Sequence, residues 1–459
     1  MKRSGSLLFL ATVLALPTAG RLAAQTPSLA ESITEARVRE VVSWLAADER
    51  HGRDTPSPGL AAAAEWLAQR FAAAGLEQVR KGSWFHDYTL TGQRLDSRQI
   101  EVVLHRKFEG DERRIDLEPD RDVRLWRAGD ATSGELEPTT LAQMEDPVLR
   151  QLLRADSGRR PIVIEVAEDH PYWQNAAGER LVLARRRRAA RPIFLVKDGL
   201  LPPPERPGAE IGWATTWSTP EPESVEIPLT NVVGLLPGTG KRDEYVVVSA
   251  HYDHIGVGDP VDGDPIFNGA DDDASGTTAV VLIAEALAKL PAPQRSILFV
   301  CFSAEEKGLR GSQAFVLQPP VPREQIVADV NIEMIGRPAE GNREKAWITG
   351  RELSDFAAIA ETAMGRAGIG IVDFPMARML FAQSDNFSFV RQGIVAHSIS
   401  AGSLHQDYHR PSDEVEKLDL PHMTQVIRGL AELVHELADR DAAPEWNEAG
   451  RARLEKIRK

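Results

Sequence analysis

Three pieces of one stretch decide the fold: YVVVSAHYDHIGVG at 245–258, FNGADDDASGTTAVVLIAEALAKL at 267–290 and RSILFVCFSAEE at 295–306. Tyr245–Ala250 is a short β-branched run, and His251, Asp253 and His254 follow it. Ser296–Phe302 is a second such run, followed by Glu305 and Glu306. Between them, Ala274–Leu290 carries apolar residues at helical spacing, with Asp271, Asp272 and Asp273 ahead of its first turn. Strand, acid-rich turn, helix, strand and acid pair in that order predict a parallel sheet with polar side chains at its carboxyl edge. Imidazoles and carboxylates gathered there point to a metal site.

The chain has 459 residues, of which 42% are hydrophobic and 27% charged, an ordinary globular balance. Its length fits two domains, or one large α/β domain with an insertion. The net charge of −14 argues against a nucleic-acid partner. Arg185–Arg188 is the one basic block and reads as a solvated loop. The single cysteine, Cys301, lies in a predicted buried strand, so no internal disulfide can form and the thiol reads as a packed apolar residue. The opening MKRSGSLLFLATVLALPTAG has a basic start, an apolar run from Leu7 to Leu16 and small residues after it. That pattern is a secretory signal, too short in its apolar run to cross a bilayer, with cleavage between Gly20 and Gln25. It implies a periplasmic or extracellular protein. No cysteine follows to carry a lipid anchor, no later segment reads as a membrane span, and no stable membrane insertion is expected after signal removal.

Apolar spacing predicts helices over Ser32–Ala47 and Pro58–Ala74, the second ended by Gly75. From about Gln93 to Glu226 short strand-like runs alternate with Pro-rich loops, which reads as a mostly β insertion. Its aromatics (Trp126, Tyr172, Trp173, Trp213, Trp217) read as a small core of its own. The main sheet resumes at Thr230. Ile326–Ile335 is a strand carrying Glu333, Ile394–Ser400 another, and a closing helix spans Pro421–Asp439. The expected organisation is a signal at 1–24, an N-terminal helical part at 30–92, the β insertion at 93–226, the main domain at 227–441 and a charged, mobile tail at 442–459. The expected class is α/β: a three-layer αβα domain on a mixed, mainly parallel sheet, plus the β insertion.

Strand ends therefore offer His251, the Glu305/Glu306 pair, Glu333 and the His405/His409 loop, and the Asp271–Asp273 turn adds another acid. Imidazole and carboxylate donors without thiolate suit zinc or a related divalent ion. One carboxylate between two imidazole-bearing arms can bridge two ions about 3.5–4 Å apart. Side chains on successive residues diverge, so one of Glu305 and Glu306 can ligate while its neighbour serves as general base toward the attacking water. Taken singly, each feature has a bland meaning. A histidine after a strand is ordinarily polar filler, an acid triplet before a helix caps it, and a Glu-Glu pair is a solvated face. Their coincidence at successive strand ends is what favours a metal site.

The segments HYDHIG, FNGADDDASG, RSILFVCFSAEEKGLRGS, VNIEMIGR and DYHRPSDEVEKLD resemble, in order, the motif series of the M28 zinc peptidases, which comprise co-catalytic aminopeptidases and their carboxypeptidase relatives. The resemblance covers about Leu229–Leu420 and, more weakly, Leu45–Leu76. It implies two zinc ions, with His251, Asp272, Glu306, Glu333 and His409 as ligands, Asp272 as the bridge and Glu305 as general base. Glu333 stands where the family more often has aspartate. His405 is the rival of His409, which is preferred because it lies four residues before Asp413. Asp253 resembles the acid that hydrogen-bonds the first histidine and fixes its tautomer. Tyr408 is a candidate oxyanion donor. Ser384–Phe387 resembles a substrate-side loop that often has histidine where this chain has Asn386. The β insertion sits where relatives place a protease-associated domain.

The implied function is an exported aminopeptidase acting on peptides. A carboxypeptidase or dipeptidase of the same chemistry is the near alternative, and a non-catalytic ectodomain retaining the fold is the distant one. A one-metal glutaminyl cyclase fits less well, since His251 and the Asp272/Glu306 set are both present. Side-chain preference is expected to depend on loops such as Arg378–Gln383. Neither the metal's identity nor the oligomeric state follows from these residues.

Overall fold

The structure, a computed structural model, describes residues 29–108, 111–143, 160–183, 191–201, 213–221, 223–261 and 263–458. The signal segment 1–24 and Arg185–Arg188 lie outside them. The large sheet has nine strands: β1 Phe85–Asp96, β2 Glu179–Leu183, β3 Glu223–Leu236, β4 Lys241–His251, β5 Arg295–Phe302, β6 Ile326–Ile332, β7 Lys345–Ile348, β8 Gly370–Ile371 and β9 Val395–Ser400. Their spatial order is β8-β7-β9-β6-β4-β5-β3-β1-β2. At the centre β9, β6, β4 and β5 run parallel, while β3, β1 and β2 add antiparallel strands on one flank. β5 is buried along its whole length, as a central strand apolar on both faces should be. The carboxyl ends of β4, β5, β6 and β9 lie together, so the loops that follow them meet.

Two sets of helices flank the sheet. One contains α1 Glu35–Leu45, α2 Pro58–Ala73, α3 Gly276–Leu287, α5 Phe356–Gly365 and α7 Leu420–Asp439. The other contains α4 Arg310–Leu317, α6 Asn386–Gln392 and α8 Glu448–Arg458. Local chemistry sets their ends. Ser57 Oγ accepts from Leu60 N at 3.1 Å with Pro58 in the first turn, which starts α2. Gly75, at φ 82°, ends it. Among the described residues no helix is long and apolar enough to cross a membrane.

Two further four-stranded sheets lie between Glu101 and Ser218. Trp213, Trp217 and Phe194 pack into one small core and Trp173 into another. The expected edges of this region, at 92/93 and 226/227, both fall inside strands. β1 and β3 stay in register from Phe85↔Val232 to Arg94↔Glu223, so the chain leaves and re-enters the large sheet as one paired ribbon. The charged C-terminal stretch is also corrected, because it forms α8 instead of a mobile tail. Trp446 and Leu454 are buried, and Trp446 Nε1 donates to Gly393 O at 2.9 Å, which anchors the helix despite its charge.

Candidate metal centre

His251 is the last residue of β4, and its ring is buried. Its Nδ1 lies 3.0 Å from the backbone carbonyl of Asp253, which can only accept. That fixes the proton on Nδ1 and turns the Nε2 lone pair outward. Nε2 stands 3.2 Å from Asp272 Oδ1 and 3.3 Å from Glu333 Oε1. Three electron-rich atoms thus meet around one point. Burial opposes a positive charge on His251, yet Glu333 and Glu305 raise its proton affinity well above the usual value. The same field favours a metal cation.

The acid triplet divides its work. Asp271 Oδ1 accepts from Gly336 N at 2.7 Å, and Oδ2 lies 3.1 Å from His405 Nε2. Asp273 Oδ1 accepts from Gly276 N and Met334 N, both at 3.0 Å, so it caps α3 and ties it to the residue after Glu333. Only Asp272 turns both oxygens into the site. Asp413 steadies this turn by accepting from Asp271 N at 3.0 Å and Asp272 N at 3.1 Å. Gly269 is required here. At φ 57° it lies so close to the His254 ring and to Asp272 O that a Cβ would come within 2.5 Å and 2.2 Å of them.

The second oxygen of Asp272 faces a different set. His409 Nε2 is 3.1 Å from Asp272 Oδ2 and 3.3 Å from Glu306 Oε1. His254 Nδ1 is 3.0 Å from Glu306 Oε1 and 3.8 Å from Asp272 Oδ2. Two donor sets, His251/Asp272/Glu333 and His254/Asp272/Glu306, therefore share one carboxylate. Burial and Asp272 oppose ionisation of Glu306, but the two imidazoles hold its carboxyl down at about 2. Burial likewise opposes charge on His409, and Asp272 and Glu306 carry it up to about 10. Without a cation, Asp272 Oδ2, Glu306 Oε1 and both His254 ring nitrogens are buried with no hydrogen-bond partner. Buried polar atoms rarely stay so, and divalent ions would satisfy the donors that face the two sets.

His251, Asp272, Glu306, Glu333 and His409 are thus brought together, whereas His405 is held away by Asp271. Glu305 points elsewhere than its neighbour. Its Oε2 is 4.0 Å from His251 Nε2, and it lines the cleft above the site. Burial pushes its proton affinity well up; His251 opposes the shift, and Asp385, Glu333 and Glu306 add to it. Tyr408 stacks on His409 with ring centroids 3.9 Å apart and lines the same cleft. Burial and the surrounding carboxylates keep its phenol protonated.

The expectation for Asp253 is corrected in part. Its carboxylate lies 3.8 Å from His251 Nδ1, and the tautomer is set by the Asp253 backbone carbonyl instead. The carboxylate is taken by nearer donors, Glu305 N at 3.0 Å and Thr55 Oγ1 at 3.1 Å. It therefore fixes the start of the Glu305–Glu306 pair.

Sequence reasoning missed three residues. His254 stands out in the sequence only by its position after β4. The Arg53 guanidinium, fully buried, donates to the carbonyls of Leu45, Tyr252 and Asn268 at 2.6–2.8 Å and of Gly269 at 3.2 Å. Asp413 was read only as a spacing marker. Nothing local in Gly52-Arg53-Asp54 signals that its arginine folds under the site.

The cleft spans about 620 Å³, partly open to solvent. Met334, Trp347, Leu380 and Leu404 supply apolar wall, and Ser398 and Ser400 a small polar floor. Leu380 and Gln383 come from the Arg378–Gln383 loop. Asn386 lies behind it, buried, donating to Phe381 O at 3.2 Å and accepting from Ser398 Oγ at 2.9 Å.

Residues 231–434 match the model of peptidase family M28. Leucine aminopeptidase 1 of Ajellomyces capsulatus (strain H88) is 31% identical over 231 residues, covering 46% of this chain and 57% of that protein. Aminopeptidase YwaD of Bacillus subtilis (strain 168) is 25% identical over 224 residues, 47% of this chain and 46% of that one. The chain thus spans about half the length of these curated relatives. Among solved structures, a zinc aminopeptidase from Bacillus subtilis superposes with a TM-score of 0.55 at 16% identity, over 91% of this chain and 98% of that one. A peptidase M28 precursor from Shewanella amazonensis SB2B gives 0.53 at 16% identity, over 91% and 96%. At those identities the likeness is one of fold.

Proposed function

We propose, from the match of residues 231–434 to the model of peptidase family M28, that the chain is an exported, metal-dependent aminopeptidase that removes N-terminal residues from peptides. The observation that carries this reading is Asp272, whose two oxygens face two separate imidazole–carboxylate sets beneath one open cleft. His251, Asp272 and Glu333 would hold one zinc ion, and His409, Asp272 and Glu306 a second. Two such ions would polarise the scissile carbonyl and template the attacking water.

The chain's own groups supply the proton traffic. Glu305, deprotonated, takes a proton from the attacking water and returns it to the leaving amine. Its raised proton affinity, a result of burial, suits it to hold that proton between the two transfers. The Asp253 carboxylate, accepting from Glu305 N, holds that backbone in place. Tyr408, kept protonated and lining the cleft, would donate its Oη–H to the developing oxyanion. The walls formed by Trp347, Leu380 and Leu404 suit an apolar terminal side chain, in keeping with the leucine aminopeptidase relatives. Export rests on the sequence of Met1–Gly20.

The test is a panel of aminoacyl, dipeptidyl and C-terminal substrates offered to the zinc-loaded chain, with metal counted after dialysis. Release of leucine- or methionine-like N-terminal residues by a chain holding about two ions is expected. Release from the C-terminus alone, or no hydrolysis at all, overturns the proposal.

A further inference from the structure

Each of the two donor sets would be complete with three protein ligands, yet the second has a fourth donor. We propose that His254 Nδ1 ligates the second ion directly, so that this centre is closed by four protein donors while the His251 centre keeps an open position. This rests on the metallopeptidase reading above.

The His254 ring is fully buried, and neither nitrogen has a hydrogen-bond partner. Nδ1 lies 3.0 Å from Glu306 Oε1 with no hydrogen bond between them, and Oε1, 3.3 Å from His409 Nε2, accepts no hydrogen bond there either. Asp272 Oδ2, 3.8 Å from Nδ1 and 3.1 Å from His409 Nε2, likewise has no hydrogen bond. Three buried donor atoms thus converge without satisfying one another, and one cation would satisfy all three. The ring has no room to turn aside. It packs against Gly269, where even a Cβ would come within 2.5 Å, and crosses the His409 ring at 73° with centroids 5.7 Å apart. Both imidazoles therefore reach the second ion from different sides.

The consequence is an asymmetry between the centres. Zinc sites closed by four protein donors behave as structural sites, whereas sites with three keep a position for water or substrate. The ion near His254 becomes the retained one, and the ion near Glu333 the exchangeable one that meets substrate.

The experiment is a crystal structure of the zinc-loaded full chain with zinc anomalous differences, paired with chelator titration of the wild type and of His254→Ala. The expected result is His254 Nδ1 about 2.0–2.1 Å from the second ion. In titration the wild type should release its two ions at separate chelator concentrations, and His254→Ala should bind the tighter one at least about 100-fold more weakly. An Nδ1 more than about 3 Å from an ion that is present makes His254 a mere hydrogen-bonding neighbour of Glu306 and overturns this inference alone. Zinc at neither centre overturns the peptidase reading with it. The wild-type crystal decides the matter even if the variant does not fold.

Discussion

Ser384 Oγ donates to Glu333 Oε2 at 2.5 Å, while Glu333 Oε1 faces His251 Nε2 at 3.3 Å. The serine is itself held by Asn331 Nδ2 at 2.8 Å, from the strand that carries Glu333. A glutamate has one more rotatable bond than an aspartate would have there. The serine removes that freedom by fixing one oxygen and leaving the other for metal. Ser384→Ala should weaken zinc at the His251 centre by about 10–100-fold, as loss of outer partners of metal ligands generally does. Ser384→Thr, which keeps the hydroxyl, should restore most of it. Chelator competition that resolves the two ions checks this, and equal weakening of both would contradict it.

Glu305→Gln preserves shape and removes the proposed base. Its Oε2 lies 4.0 Å from His251 Nε2 and it belongs to neither donor set, so metal content should not change. The turnover number should fall by about 10²–10⁴-fold, the usual contribution of one positioned base. Steady-state kinetics beside metal analysis separates this outcome from one in which Glu305 is a ligand, because then the ion count falls too.

How far the site was legible follows from where each contact lies in the chain. His251, Glu305, Glu306 and Glu333 sit just past apolar runs, with Asp272 in the acid turn before α3 and His409 in the loop after β9, and strand ends on one edge of a parallel sheet converge by topology. The central strands and the helices α2, α3 and α7 were legible for the same reason, since their periodicity is local. His254 was not, although it stands three residues after His251. Whether a loop turns the second imidazole back toward the strand end depends on Gly269 and Arg53, which a local pattern does not connect to it. For Asp253 the residue was right and the atom wrong, because spacing cannot distinguish a carboxylate from the carbonyl of the same residue. The edges of the β region were misplaced because β1 and β3 remain paired beyond the point where their sequence turns polar.

Arg53 carries a stability prediction. Its guanidinium is fully buried and satisfies carbonyls from three segments: Leu45 at the end of α1, Tyr252 after β4, and Asn268–Gly269 before the acid triplet. Burial lowers its proton affinity to about 10 against the pull of Asp253 and Asp272, so it remains charged at neutral pH. Arg53→Met would strand those carbonyls and remove the cation beneath the acids. A loss of about 3–5 kcal/mol in urea unfolding is expected, the range for breaking a buried charged network. Arg53→Lys should recover only part, since an ammonium lacks the planar fork that reaches all four oxygens. A change below about 1 kcal/mol for Arg53→Met would show that the loop holds without it.

His397 makes the fold less stable in acid. It lies on β9, fully buried, with Nδ1 donating to Thr349 O and Nε2 accepting from Ser354 Oγ, both at 2.7 Å. Both nitrogens are satisfied by the neutral ring, and burial drives its proton affinity down to about 4. In the unfolded chain an imidazole titrates near 6.5, so between those values the unfolded state binds a proton that the folded state refuses. Stability is then fully present above about 6.5 and drains away as pH falls toward about 4, by about 3 kcal/mol in all. His397→Gln cannot take up that proton in either state, so its deficit relative to wild type should shrink by about the same 3 kcal/mol on going from pH 7 to pH 4. Urea unfolding of both proteins across that range measures the difference directly, with the titrations they share cancelling. A deficit that stays constant with pH would mean that the buried ring accepts the proton in the folded state.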